Sequence, residues 1–123
     1  MIRVKSFIIT LLLFAATCGI IAANNIYIKN TAEEIIDRVS DEEFDRDPEG
    51  SAKELAEFWD KTHPIVGLSV GYKELDRMSD LIIDLNIQLE LDNSDEVTRL
   101  RAMIVECADE ISRLERFELE NLL

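Results

Sequence analysis

From Ser6 to Ala23 the chain reads SFIITLLLFAATCGIIAA, 18 residues without a charge or a proline. At about 1.5 Å of rise per residue, a helix of this length nearly crosses a hydrocarbon layer. Arg3 and Lys5 precede the stretch, and all 26 acidic residues follow it. Basic residues stay on the cytoplasmic side, so this order predicts a signal anchor with the rest of the chain outside the cytoplasm. Phe7, Leu12, Phe14 and Ile20 are its expected lipid-facing residues. Ile26 and Ile28 extend the apolar surface past Asn24 and Asn25, with Tyr27 at headgroup level. The expected division is an anchor over residues 1–28 and an extracytoplasmic domain over residues 29–123.

Two other readings fit parts of the same stretch. A cleaved signal peptide also begins with a short basic segment before an apolar run, but Ile21 before Ala23 makes a poor small-x-small cleavage site. A lipoprotein would carry its lipid on Cys18, but Ala15-Ala16-Thr17 is a weak match to a lipobox and an apolar run follows the cysteine. All three readings leave the domain outside the cytoplasm and near a membrane.

Charge narrows the partners. Setting Arg3 and Lys5 aside from the 13 basic residues leaves 11 against 26 acids, a net charge of −15 beyond the anchor. Nucleic acid needs a basic face and is not expected. Cations, basic protein surfaces and the apolar face of another helix remain. The apolar content of 47% suffices for a packed core. The two cysteines form no disulfide framework, because Cys18 lies in the apolar run. Cys107 falls on an apolar helical stripe, as a buried thiol would.

The rest of the chain is helical in period. Ile28, Ala32, Ile35, Ile36 and Val39 share one face, and Thr31 with Glu34 matches a capping box. Either a new helix starts near Thr31, or the membrane helix runs on. The acidic segment 41–50 predicts a break. Ser51 with Glu54 predicts the next helix start, with Ala52, Leu55, Phe58 and Trp59 inward. Pro64 predicts its end at Thr62-His63 and opens another helix, which starts as late as Gly71 if Gly67 and Gly71 weaken the first turns. Its stripe is Ile65, Leu68, Tyr72, Leu75, Met78, Ile82, Leu85 and Leu89. Asn93 predicts a cap, and Val97, Leu100, Ile104, Cys107, Ile111 and Leu114 form a heptad seam. The short connection at Asp92-Asn93-Ser94 makes the last two helices antiparallel neighbours. The expected fold is all-α: a single transmembrane helix followed by a small antiparallel bundle of three to four helices.

No motif announces chemistry. Asp45-x-Asp47-x-Glu49-Gly50 is similar to the start of a calcium loop, but its twelfth position is Ala56 and Pro48 stiffens it. A solvated acidic turn is the simpler reading; a divalent-cation or ligand sensor using the acidic loop 41–49 is the alternative. Asp76, Asp80 and Asp84 recur every four residues on the face away from the apolar seam, as solvated carboxylates do. The lone His63 has no serine or cysteine partner at a motif spacing and suits a capping or surface role. No cofactor or metal site is expected, and an enzyme would need a constellation the chain does not offer. Trp59, Phe58 and Tyr72 are the candidate interface residues, although a tryptophan in such a stripe is more often a core anchor than an interface residue.

Trp59 with Lys61, Glu74-Leu75-Asp76, and the ending Leu119-Glu120-Asn121-Leu122-Leu123 together resemble a bacterial family of short membrane-anchored helical proteins known as domain of unknown function 4363. The resemblance covers nearly the whole chain. Tyr72 stands where many members carry a histidine. The resemblance implies an N-terminal membrane helix and a helical domain. It also implies an accessory role beside a multi-spanning membrane protein. The functional expectation is a non-enzymatic protein that docks on an integral membrane partner or self-associates.

Overall fold

A computed structural model describes residues 2–40, 42–67 and 70–122, with the side chains of these from Arg3 to Arg113. Its described residues form five helices and no strand: α1 (Ile2–Ser40), α2 (Glu42–Arg46), α3 (Pro48–Val66), α4 (Tyr72–Glu90) and α5 (Ser94–Leu122). The all-α architecture expected from the apolar periods is therefore present.

Of the two arrangements left open at Thr31, the continuous one is found. α1 runs 39 residues without interruption, about 58 Å. Thr31 does not cap. Its upstream neighbours are already helical, so no free N–H awaits it, and its hydroxyl donates to the Tyr27 carbonyl at 2.8 Å. Thr10 and Thr17 do the same to Ser6 and Leu13, which hides both hydroxyls within the apolar stretch. From Arg3 to Ile20 every side chain is exposed. Further on, Ile28, Ala32, Ile35 and Val39 are buried at steps of four, three and four. Ile28, expected to close the anchor, is thus core, while Ile26 stays 59% exposed.

Three helix boundaries differ from the capping-box and proline reading. The acidic segment is not a plain break. Glu42, Glu43 and Asp45 sit in the first turn of α2, where the helix dipole favours carboxylates, and Phe44 anchors that turn in the core. α3 then begins at Pro48, not Ser51. Asp47 is its N-cap and accepts the Gly50 N–H at 3.2 Å. A Cβ on Gly50 would collide with that carboxylate. Ser51 instead points its hydroxyl at the Glu43 carbonyl, 3.4 Å away, tying α3 to α2.

α3 also runs through Pro64 to Val66 rather than stopping at His63. The ring removes one hydrogen bond, to the Asp60 carbonyl, but both residues are exposed, so that carbonyl lies on the solvent side. Thr62 Oγ1 donates to the Phe58 carbonyl at 2.9 Å, and Gly67 N–H closes the end on His63 O at 2.8 Å. Burial of Val66 and Val70 holds the turn in place. α4 consequently starts at Tyr72 with Gly71 as N-cap, the later of the expected starts. Leu68 lies outside the described residues.

The turn at Leu91–Asn93 uses a positive φ of 53° at Asp92, and Asn93 Oδ1 accepts the Glu96 N–H at 3.5 Å as its cap. α4 and α5 therefore run antiparallel. The lower half of α1 packs on α5, α5 on α4, α4 on α3, and α3 on α1, closing a four-membered ring of alternating direction. Leu55, Met78, Leu85, Leu100, Ile104 and Cys107 fill its axis. The seam read on α5 is buried from Leu100 to Ile111; the Leu114 side chain lies outside the described ones.

Ile104 is 0% exposed. Ile104→Ala should cost about 2–5 kcal/mol in urea unfolding of the detergent-solubilised chain. Glu106→Ala, on the exposed side of the same helix, should stay within about 0.5 kcal/mol.

Candidate functional site

The bundle spends its conspicuous polar residues on holding helices together. Arg101 on α5 donates from Nε to the Val39 carbonyl at 2.6 Å and from a terminal nitrogen to Asp45 at 2.9 Å. Its guanidinium also lies 4.1 Å from the centre of the Phe44 ring. Val39 sits in the last turn of α1, where carbonyls lack helical partners, so one arginine caps α1, pairs with α2 and covers its aromatic anchor. Arg38 on α1 shares only the ring contact: it lies 3.0 Å from Glu34 Oε1 on its own helix and 4.8 Å over the Phe58 ring of α3.

These contacts reassign several candidates. Asp45 is taken by Arg101 and Asp47 by the α3 cap, so two of the three acids of the calcium-like turn face helix partners rather than a shared ligand. Among the described residues no group of three or more His, Cys, Asp or Glu side chains has the geometry to hold a metal ion. Nearby, Glu34, Asp37, Glu43 and Glu54 line a groove of about 320 Å³ with Arg38 and Phe44. Asp76 and Asp80 are exposed and Asp84 half-buried; they line a shallow opening between α4 and α5 with Lys73 and Arg77. Arg77 is held across that opening by Glu110 at 2.9 Å.

The three candidate interface residues part company. Trp59 is 3% exposed, and its indole N–H donates to Ser79 Oγ at 2.8 Å, joining α3 to α4. It is a core residue and is closed to a partner, because its ring fills the space between those two helices. Phe58 is half-buried beneath Arg38. Tyr72 alone stands free, 82% exposed at the start of α4. His63 stacks obliquely on Trp59, ring centres 5.8 Å apart, with Nδ1 3.2 Å from the Trp59 carbonyl. With Pro64, Tyr72 and Asp76 it lines an open groove of about 400 Å³.

Cys107 is wholly buried, and its thiol donates to the Glu74 carbonyl at 3.8 Å. Burial pushes its pKa up to about 11, so it stays protonated and inert at neutral pH. The arginine staples were invisible to motif reading; a basic residue beside the heptad seam, at Arg101, was the available hint. No protein-family model matches the chain, and neither a curated protein nor a solved structure is significantly similar to it.

Arg101→Ala leaves the Val39 carbonyl without its donor and should lower stability by about 1–3 kcal/mol in urea unfolding, with Arg101→Lys recovering less than half because it lacks the flat fork. In a Cys18→Ala background, Cys107 should resist a thiol reagent at pH 8 until urea unfolds the bundle. Because its folded pKa lies above the ordinary 9.0, its contribution is complete below pH 9 and lost as pH rises toward 11. Cys107→Ala should remove that alkaline decline from a pH series of unfolding midpoints.

Proposed function

We propose that this chain is a non-enzymatic, membrane-held interaction protein. A single-pass helix keeps the acidic bundle at the outer surface of the cell membrane, where it docks on an integral membrane protein or on another copy of itself, in the manner of an accessory subunit. One observation carries the reading. Phe7, Leu12, Phe14 and Ile20 are between 64 and 70% exposed on a helix whose continuation is locked into the bundle core. α1 is the one helix among those described that is long and apolar enough to cross a membrane. An apolar surface of that size needs an apolar medium, and lipid supplies it. Arg3 and Lys5 before the stretch favour a cytoplasmic start, which puts the bundle outside.

The polar groups support docking over chemistry. The arginines that face the acids of α1 and α2 serve as staples, and the one buried thiol is inert. Specific binding is then left to surface shape and charge, as in other helical adaptors.

The tagged full chain should stay with the membrane pellet through carbonate extraction, and deletion of residues 6–23 should release it. Cys18→Ala should leave it in the pellet. Recovery of the intact chain, Met1 included, as a soluble species after cell breakage would overturn the proposal.

A further inference from the structure

Beyond α1, the described residues expose five large apolar side chains: Ile65, Tyr72, Ile83, Ile87 and Leu91. Four of them belong to α4 or its C-cap. Ile83, Ile87 and Leu91 follow at four-residue steps, so they form one line, 58, 46 and 67% exposed. The line lies opposite the core row Met78, Ile82 and Leu85. α5 is ten residues longer, yet it exposes no large apolar side chain up to Arg113. The apolar surface on α4 is therefore confined to one face, not scattered.

The charge around the line is one-sided. From Met78 to Thr98 the chain carries six acids and no lysine or arginine. Asp80, Asp84 and Glu90 stand beside the apolar row. The arginines at either end of this segment are already engaged, Arg77 by Glu110 and Arg99 by Glu96 at 2.8 Å. Two copies brought together through this face would set these carboxylates against each other, while Arg99, near Asp84, is already paired with its own Glu96, which disfavours a second copy. Lipid is disfavoured by direction. α4 runs along the bundle axis it shares with α1, and the Ile83–Leu91 half lies at the end where α1 finishes, away from the apolar stretch.

We propose that the outer face of α4 from Asp80 to Leu91 is the docking surface for a helix of another protein, one whose apolar stripe is flanked by lysine or arginine. Three apolar side chains at helical spacing give the anchor points of a helix-on-helix contact, and the acids select the partner's charge and orientation. This rests on the membrane-held docking role proposed above and names the surface and the partner's chemistry.

The test places a photoreactive amino acid in the full chain in intact cells, at Ile87 or Ile83, with Ala102 on α5 as the exposed reference and Phe14 as the anchor reporter. The crosslinked segment is sequenced. Ile87 and Ile83 should both capture one segment of another protein, with apolar residues three and four apart and basic residues on either side. Asp80→Asn with Asp84→Asn should cut that yield about fivefold without moving the unfolding midpoint. Capture of the chain's own sequence, of lipid, of a segment without basic flanks, or of nothing above the Ala102 level overturns the proposal, as does a yield indifferent to the Asn substitutions. Lipid adducts at Phe14 report the membrane reading separately, so a Phe14 that captures no lipid would sink that reading whatever Ile87 captures.

Discussion

One unbroken helix carries two kinds of surface. The first half of α1 presents apolar side chains in every direction, and the second half presents them only where the bundle covers them. No flexible joint separates the two halves. The backbone hydrogen bonds of the exposed half are closed within the helix, threonine hydroxyls included, so that half asks nothing of its surroundings except low polarity. Because the same rigid rod continues into the core, the bundle cannot drift on a tether. Its orientation follows the rod, and every other helix is placed relative to it.

What closes the bundle around that rod is an apolar axis with arginines at the seams. A chain carrying a net charge of −13 pays for crowding acids unless its few cations are well placed. All five ion pairs in the described residues use arginine, and two arginines also lie over phenylalanine rings. A guanidinium can pair, donate to a carbonyl and stack at once, which an ammonium cannot. Surface ion pairs alone contribute little, so the significance of Arg101 lies in the α1 carbonyl it satisfies, not in its pairing with exposed Asp45.

Much of the architecture was legible in the residues. The 18 apolar residues, the heptad seam on α5 and the Asn93 cap each act through neighbours within one or two helical turns, and local physics suffices to read them. The misread boundaries have a common cause. Ser51 with Glu54 is a sound capping box, but Asp47 with Pro48 offered a competing start three residues earlier, and burial of Phe44 beside it decided the matter. Pro64 would end an isolated helix. Here its ring faces solvent while Val66 is buried two residues later, and the packing of that valine outweighs one lost hydrogen bond. Trp59 carried two roles from sequence. Only its position opposite Ser79, twenty residues away, removed one of them.

The sequence by itself determined the class of structure and the length and apolar character of its first helix: the apolar run, its basic start and the three-and-four periods are properties of contiguous residues. Tertiary structure alone decided which arginine caps which helix, that Trp59 is closed, and that α4 keeps Ile83, Ile87 and Leu91 uncovered. The row Leu75, Met78, Ile82, Leu85 and Leu89 leaves those three off the inward stripe, but a second apolar row can still be covered by another helix of the same bundle. The neighbours that choose between the rows are α3 and α5, and they come together with α4 only when the chain folds.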